Sequence, residues 1–462
     1  GNVRELENAM ERLGVTSQGS AIDCEHLPAE IRSQGGTLTF ITEAEQILHL
    51  DPQRNYTGED LAFASGYLNR TLTQYTLSKD NNEASKLVAD AATDTGTTPD
   101  GGKAISYAVR SPLGVIAVVC PWNLPLLLMT WKVGPALACG NAVIVKPSEK
   151  DPSAIMYIAE LWKQAGLPAG VFNVVHGDKE AVDGLLEHPD VKAISFVGST
   201  PIARYIYENG TRNGKRVQAL GGAKNHMLVL PDADLELTAD AAINAGFGSA
   251  GERCMAISVV LAVDPIGDAL VEKIAARMPP LRTGDGRRGC DMGPLVTKQH
   301  RDKVSSYVDA GVESGATLVV DGRNPQVDGD AGGFWLGPTL FDHVKTDMTI
   351  YTDEIFGPVL SVVRVPSYEA GVALINAHQY GNGTAIFTND GGAARRFQNE
   401  IEVGMVGVNV PIPVPVAYYS FGGWKHSLFG DAHAHGMEGV NFYTRGKVIT
   451  SRWLDPSHGG IN

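Results

Sequence analysis

Cys254 is the residue best suited to nucleophilic chemistry. It lies in FGSAGERCMAIS, after a predicted helix over 235–249 and before the predicted strand SVVLAV. Gly248 and Gly251 allow a tight backbone turn, and a thiol at such a junction can be partly exposed and activated. Arg253 beside it could lower the thiol pKa or hold a substrate carboxylate. The alternatives are an inert buried cysteine and a solvated arginine, which are the common states of these residues.

Asn123 is a candidate oxyanion donor. It stands in PWNLP, where Trp122 and two prolines restrict the backbone around it. An asparagine held in this way can donate its amide N–H to the negative oxygen that develops when a nucleophile attacks a carbonyl. A turn-forming asparagine is the alternative.

Two strand–turn–helix junctions could bind a nucleotide. In VIVKPSEKDPSA, Lys146 ends a predicted strand, and Ser148 and Glu149 precede a helix. In FVGSTPIARY, Gly198 and Ser199 begin another helix, whose free N–H groups could receive a pyrophosphate. Such turns lie at the carboxyl edge of a parallel sheet, where open α/β folds bind nucleotides. Ordinary helix capping is the alternative, since neither turn contains GxGxxG.

The segment EIFGPVL contains Glu354 and Phe356 before a Gly-Pro turn. Glu354 could bind a ribose diol or could be a surface carboxylate. A second irregular segment, GVNVPIPVPVAYYSFGGWKHS, is rich in proline and aromatic residues. It could be a buried loop or the wall of a substrate funnel.

Strands that alternate with helices must position these residues. From residue 103 the order is AISYAV, VIAVV, a helix over 126–139, AVIVK, a helix over 151–166, FNVVHG, a helix over 178–188, AISFVG and a helix from 201. After about residue 220 the alternation resumes with MLVL, SVVLAV and ATLVVDG. This order predicts βαβ units with mostly parallel sheets, arranged as two α/β domains.

Composition restricts the class of protein. The 462 residues suffice for about three domains, and the formal charge of −14 disfavours broad binding to nucleic acid or to anionic membranes. No charge occurs between Arg110 and Lys132, but a proline- and glycine-punctuated strand, turn and buried helix explain this stretch better than a membrane span. Five scattered cysteines without CxxC predict no disulfide framework and no metal site, and they fit a reducing, cytoplasmic location without a signal peptide.

Residues 1–34 differ in character from the rest of the chain. GNVRELENAMERLG, followed by SAIDCEHLPAEIR, resembles the helical end of the AAA+ domain in sigma-54-dependent transcription activators. No GxxxxGK[ST] phosphate loop occurs in the chain, so ATPase function is not expected with it. This segment is interpreted as a remnant of a fusion, and a regulatory or interaction protein is the competing hypothesis.

The motifs occur together in one order. PWN, KPSE, FVGST, LGG, the GxxC cysteine, EIFGP and FGGWK resemble the NAD(P)-dependent aldehyde dehydrogenase superfamily over residues 103–455. ALGGAKNHM, NAGFGSAGERCMAIS and NVPIPVPVAYYSFGGWKHSLFGD are similar to its CoA-acylating branch, the methylmalonate-semialdehyde dehydrogenases. The implied fold is a Rossmann-like nucleotide domain, an α/β catalytic domain and a β oligomerisation arm.

This resemblance implies a mechanism in two steps. The Cys254 thiolate attacks the aldehyde carbon, and Asn123 with the Cys254 N–H holds the oxyanion. Hydride transfer to NAD leaves a thioester, CoA takes the acyl group, and the carboxyl group leaves as CO2. Arg253 is expected to bind the substrate carboxylate. The expected cofactor-binding residues are Lys146, Ser148, Glu149, Gly198, Ser199, Glu354 and Phe356.

One absence favours acyl transfer to CoA. Hydrolytic members of the superfamily carry a glutamate directly before LGG, which activates water, whereas this chain has Ala219 there. In contrast, PWNLPLLLMTWKVGPALACGN is similar to enzymes acting on muconic semialdehydes, so a non-acylating dehydrogenase of that type is the alternative. Arg70 is only a candidate for a second carboxylate-binding arginine.

The resemblance also implies domain limits and assembly. The expected ranges are an activator-like remnant (1–34), an NAD-binding domain (35–220), a catalytic domain (221–430) and a C-terminal segment (431–462). Strands near 103–110 and in GKVITSRW are expected to form sheet between subunits, because an unpaired edge strand invites pairing. The expected assembly is a homodimer or homotetramer. Glu149 favours NAD over NADP because its carboxylate would repel a 2′-phosphate.

Overall fold

A computed structural model describes residues 105–330 and 332–451 of this chain. The head at 1–34, Arg70 and the residues from 452 onward therefore lie outside the described residues. In chain order the strands are β1 (Ile105–Pro112), β2 (Val115–Val119), β3 (Ala142–Lys146), β4 (Phe172–Val174), β5 (Val191–Val197), β6 (Arg216–Leu220), β7 (Asn225–Val229), β8 (Ile257–Val263), β9 (Thr283–Gly284), β10 (Thr317–Val320), β11 (Val327–Asp328), β12 (Thr339–Asp342), β13 (Val359–Val365), β14 (Tyr380–Gly381), β15 (Gly383–Phe387), β16 (Met405–Val408), β17 (Trp424–Lys425), β18 (Leu428–Phe429) and β19 (Thr444–Ser451).

Helices connect most of these strands. They are α1 (Pro125–Ala138), α2 (Ser153–Gln164), α3 (Lys179–Glu187), α4 (Thr200–Arg212), α5 (Leu235–Phe247), α6 (Gly267–Ala276), α7 (Lys298–Glu313), α8 (Thr349–Thr352), α9 (Tyr368–Ala377), α10 (Gly391–Glu400) and α11 (Gly436–Tyr443). Within residues 105–330 and 332–451, short 3₁₀ turns lie at Gly248–Gly251 and Gly286–Arg288. None of the helices in the described part is long and apolar enough to cross a membrane, and α1 packs in the interior instead.

The first sheet has the strand order β18-β6-β5-β2-β3-β4, with β18 antiparallel to β6 and the other neighbours parallel. Its central strands are rich in valine and isoleucine because both faces are buried. Ile116 packs with Val143 on one face, and Ala117 packs with Ile194 on the other. This alternation of side chains along β2 explains why the uninterrupted apolar run VIAVV forms a strand.

The second sheet has the order β10-β12-β13-β8-β7-β15-β16, and only its edge strand β10 runs antiparallel. Buried residues such as Met227, Leu261 and Val362 belong to one large apolar core that includes its strands. The two parallel sheets confirm the predicted α/β class. The chain also returns from the second sheet to the first, because Leu428–Phe429 pairs with Leu220 and Ala219. The domain ranges given above remain a prediction.

Strands β1 and β19 form a separate antiparallel ribbon. Their register runs from Ile105 opposite Ser451 to Pro112 opposite Thr444, so the two predicted arm strands pair with each other within one chain. The Arg110 Nε donates to Thr444 Oγ1 over 2.6 Å and fastens the base of the ribbon. Val448 is 75% exposed on it.

Candidate active site

A strained turn positions Cys254. Helix α5 ends at Phe247, and in the 3₁₀ turn that follows, Ser249 and Ala250 both have φ of 53°. Gly251 has φ of +70°, and a Cβ on it would lie 2.2 Å from the Gly357 carbonyl oxygen. Glycine is therefore required where this turn meets the EIFGP segment. Such left-handed backbone is stable only when its surroundings hold it in place.

The Cys254 thiol is half-buried and protonated in this geometry. Burial, and to a smaller extent the negative charge of Glu354, raise its pKa to about 11. The backbone N–H groups of Cys254 and Met255 and the charge of Arg253 act in the opposite direction. Thiolate formation at neutral pH therefore requires a group that accepts the proton.

Asn123 joins the first sheet to the cysteine turn. It lies between β2 and α1, and its Nδ2 donates to the Glu252 carbonyl oxygen over 3.0 Å. Because a carboxamide nitrogen carries two hydrogens, the same group retains one donor for an oxyanion. The structure thus brings Asn123 to the loop that carries Cys254, as the sequence analysis expected of a catalytic pair.

Arg253 holds the end of α5. Its Nε donates to the Gly248 carbonyl over 3.0 Å, and its Nη2 donates to the Asn244 carbonyl over 2.7 Å. The Asn244 carbonyl also accepts from the Gly248 N–H at the C-cap, so Arg253 adds a second donor there and joins the end of the helix to the turn that follows. The guanidinium has five N–H groups, so others remain for an anion. Arg253, Cys254, Glu354 and Phe356 line one small cavity.

Glu354 contacts the LGG turn. Its Oε1 accepts from the Ala223 N–H over 2.9 Å, and a Cβ on Gly222 would lie 2.4 Å from its Oε2. Burial raises the pKa of Glu354 to about 7, against the lowering effects of the Ala223 N–H and the Lys224 charge. Buried Lys224 donates to two carbonyl oxygens of the segment that leads into Glu354, those of Ile350 and Asp353.

Phe356 packs in a group of aromatic rings that come from segments next to both sheets. Its ring centroid lies 5.6 Å from that of Trp122, and the two rings meet edge to face. The Lys150 ammonium lies 5.9 Å from the Trp122 ring. The Nε2 of His300 lies 2.7 Å from the Phe356 carbonyl oxygen. In the tautomer that carries a proton on Nε2, His300 donates a hydrogen bond to this oxygen. Trp122 thereby connects the KPSE turn to the EIFGP segment.

Lys146, Ser148 and Glu149 lie together at the carboxyl end of β3. Lys146 is 5% exposed, and its Nζ donates to Glu149 Oε2 over 3.3 Å and to the Gly177 carbonyl over 3.2 Å. Partial burial raises the pKa of Glu149, but its own backbone N–H and the nearby Lys146 lower the pKa by more. The pKa of Glu149 therefore lies below its ordinary value. Ser148 is buried, and its Oγ accepts from the Lys150 N–H over 3.3 Å.

Gly198 and Ser199 precede α4 at the same edge of the sheet. Ser199 occupies the N-cap position, yet its side chain makes no capping hydrogen bond. The Thr200 hydroxyl instead accepts from the Gly222 N–H over 2.9 Å. The first turn of α4 therefore keeps N–H groups that no side-chain cap satisfies, which is the state that suits an anion.

Glu252 is a site residue that the sequence analysis missed. It is 7% exposed, and its Oε1 accepts from the Val296 N–H over 3.3 Å and lies 3.5 Å from His300 Nε2. Burial raises the pKa of Glu252 to about 8. Its place two residues before Cys254 was visible in the sequence, but its burial was not. Asn225 and Asn382, which also contact the cysteine loop, were missed as well.

Two family models match this chain. The model of the aldehyde dehydrogenase family matches residues 69–449, and that of the AAA+ ATPase lid domain matches residues 1–40. The chain belongs to the aldehyde dehydrogenase family. The second match confirms the resemblance predicted for its first residues. Among the described residues, no cluster of His, Cys, Asp and Glu could hold a metal ion.

Individual relatives show which members of the family this chain is similar to. A malonate-semialdehyde dehydrogenase of Pseudomonas aeruginosa is 62% identical over 344 residues, which are 74% of this chain and 69% of that protein. The crystal structure of methylmalonate-semialdehyde dehydrogenase from Oceanimonas doudoroffii is 48% identical, with a TM-score of 0.81 over 91% of this chain and 85% of that one. A Sinorhizobium meliloti structure complexed with NAD is 44% identical, with a TM-score of 0.80 over 98% and 91%.

Proposed function

We propose that this protein oxidises malonate or methylmalonate semialdehyde with NAD through a Cys254 thioester and transfers the acyl group to CoA. Ala219 is the observation that carries the acyl transfer. It is fully buried in β6 and paired with Phe429, at the position where hydrolytic relatives carry the water-activating glutamate. Without that base, a thiol is the favoured acceptor. The malonate- and methylmalonate-semialdehyde relatives favour this substrate class over the muconic type.

The described residues fit NAD. The first turn of α4, without a side-chain cap, suits the pyrophosphate beside Gly198 and Ser199. Lys146 and Glu354 have side chains that can bond to ribose hydroxyls. Ser148 and Glu149 lie beside Lys146. Phe356 lines the cavity that contains Cys254. When held by these residues, NAD would supply the acceptor for the hydride that leaves the aldehyde carbon of the substrate. The negative charge of Glu149 favours NAD over NADP.

The chain's own groups perform the remaining chemistry. The Cys254 sulphur forms a bond to the aldehyde carbon and gives up its proton, and the Asn123 amide donates to the resulting oxyanion. Glu354 and Glu252, with pKa values of about 7 and about 8, are the nearby carboxyl groups able to exchange protons at neutral pH. Arg253 orients the substrate carboxylate. Attack by the CoA thiol then breaks the thioester and restores the Cys254 thiol. The substrate carboxylate leaves as CO2 and a proton replaces it on the adjacent carbon, so malonate semialdehyde gives acetyl-CoA and methylmalonate semialdehyde gives propanoyl-CoA.

The test is NADH formation from both semialdehydes with and without CoA, with mass spectrometry of the acyl-CoA product. We expect turnover to depend on CoA and to yield acetyl-CoA or propanoyl-CoA. Full-rate turnover without CoA would overturn the acyl transfer. Cys254→Ala should abolish NADH formation, whereas Cys290→Ala, a half-buried cysteine outside the cavity, should retain it.

We also infer a homodimer or homotetramer in the cytoplasm. The β1–β19 ribbon supports assembly, because its two strands pair only with each other among the described residues. Each strand thus has an edge available to another subunit. The proposed division is an activator-like remnant at 1–34, an NAD-binding domain at 35–220, a catalytic domain at 221–430 and a C-terminal segment at 431–462.

A further inference from the structure

Two buried carboxamides hold the main chain at Cys254. The Asn225 Nδ2 donates to the Cys254 carbonyl oxygen over 2.9 Å, and the Asn382 Nδ2 donates to the same oxygen over 3.1 Å. Asn225 is 2% exposed and Asn382 is 6% exposed. Neither residue lies near Cys254 in the sequence, so the fold has brought two long-range donors to one carbonyl group.

Both asparagines are themselves held firmly. Asn225 begins β7 and Asn382 directly precedes β15, and these two strands are parallel neighbours in the second sheet. Asn225 also donates to the Ala256 carbonyl over 2.9 Å and accepts from the Gly383 N–H over 3.0 Å. Asn382 Nδ2 lies 3.1 Å from Met255 Sδ. The strands therefore fix the backbone of both asparagines, and their carboxamide nitrogens bond to the cysteine loop.

Peptide geometry connects this clamp to the thiol. In a planar trans peptide, C=O and N–H point in opposite directions, so holding the Cys254 carbonyl also orients the Met255 N–H. The Met255 N–H and the Cys254 N–H are the backbone groups that lower the pKa of the Cys254 thiol. A peptide free to rotate would lose this alignment.

We propose that Asn225 and Asn382 are positioning residues that hold the Cys254–Met255 peptide so that its N–H faces the cysteine sulphur and stabilises the thiolate. The role of that thiolate as nucleophile rests on the proposed function. The clamp itself does not involve NAD, CoA or the semialdehyde. Its effect is a property of the free thiol and can be measured without turnover.

The test is the pH dependence of Cys254 alkylation by iodoacetamide in Asn225→Ala and Asn382→Ala, with peptide mass spectrometry to assign the modified cysteine. We expect the thiol pKa to rise by about 0.5–1 pH unit in each variant, so that alkylation at a fixed pH below the pKa slows by about 3–10-fold. Asn382→Leu, which keeps the volume without the donor, replaces Asn382→Ala if the smaller side chain prevents folding.

Asn141→Ala is the matched control. Asn141 is 3% exposed and accepts from the Leu113 and Gly114 N–H groups over 2.8 and 3.0 Å, and none of its hydrogen-bond partners belongs to the cysteine loop. It should lower the Tm and leave the Cys254 pKa unchanged. An unchanged pKa in the Asn225 and Asn382 variants, with only a Tm loss like that of the control, would overturn the clamp. Failure of the proposed function would show separately, as NADH formation by Cys254→Ala.

Discussion

At the scale of single residues, two opposing influences act on Cys254. The Glu354 carboxylate disfavours the thiolate, whereas the Arg253 charge and the backbone N–H groups favour it. Glu354 also faces the LGG turn through its bond to the Ala223 N–H. The Glu354 carboxyl group therefore acts both on Cys254 and on the expected cofactor site. A change in its charge should alter the pKa of Cys254 and the binding of the cofactor.

Glu354→Gln should lower the pKa of Cys254, because it removes the negative charge and keeps an oxygen that can accept from Ala223. We expect the alkylation pKa to fall by about 0.3–1 pH unit. If Glu354 also binds a ribose of NAD, the KM for NAD should rise. Asp353→Asn is the control, since Asp353 is the neighbouring carboxylate but is not among the charges that act on Cys254. A thiol pKa that rises or stays constant in Glu354→Gln would contradict this account.

At the scale of elements, the junction between α5 and β8 determines where Cys254 lies. Asp234 caps the start of α5 by accepting from the Glu236 and Leu237 N–H groups, and Arg253 bonds to carbonyls at its end. Between the helix and the cysteine, the left-handed turn packs on the EIFGP segment at Gly357. The cysteine loop is thus fixed by backbone contacts as well as by side chains.

Gly251→Ala should disrupt this junction. The new Cβ would meet the Gly357 carbonyl and would also disfavour the positive φ, so we expect the free energy of unfolding to fall by ~3 kcal/mol or more. Gly289→Ala isolates the conformational cost, because Gly289 has φ of +67° with open space around it. That variant should lose only ~1 kcal/mol. Equal losses in urea unfolding would show that the close approach to Gly357 is unimportant.

At the scale of the whole molecule, buried titratable groups make stability depend on pH. Burial raises the pKa of Glu252 from its ordinary 4.5 to about 8. Between these values the folded protein keeps a proton that the unfolded chain has released. Stability from this group is therefore greatest at low pH and falls as the pH rises from 4.5 toward 8.

Glu252→Gln should remove this dependence, because a glutamine does not ionise and still accepts from the Val296 N–H. Relative to the unaltered protein, we expect the variant to gain ~3.5 kcal/mol in free energy of unfolding between about pH 5 and about pH 8. Glu187→Gln, at the exposed end of α3, is the control for the same substitution at an exposed position. A difference for Glu252→Gln that does not change with pH would mean that the Glu252 carboxyl group ionises normally in the folded state.

Assembly through the ribbon gives a second prediction at this scale. Val448→Asp should shift the proposed homodimer or homotetramer toward monomers in light scattering, because it introduces a charge on the exposed surface of β19. Leu237→Asp is the control, since Leu237 is 52% exposed on α5, away from the ribbon. An unchanged mass for Val448→Asp would assign the subunit interface to another surface.

Local patterns in the sequence determined much of the scaffold and pointed to the proposed nucleophile. Apolar runs such as VIAVV and AVIVK predicted strands at the residues where the structure has them, because the alternation of buried faces is a local property. The ordered motifs predicted the family, and the GxxC pattern selected Cys254. Strands such as β6, β13 and β15 were not predicted, and ATLVVDG, predicted as a strand, became the antiparallel edge β10.

Only the tertiary structure decided which distant residues meet. Asn123 reaches the Glu252 carbonyl across 129 residues, and Asn382 reaches the Cys254 carbonyl across 128. The burial of Glu252 and the pairing of β1 with β19 depend in the same way on contacts between segments far apart in the chain. The physical reason is that periodicity records only which face of an element is buried. The neighbours on that face, and hence hydrogen bonds and pKa values, follow from the packing of the whole chain.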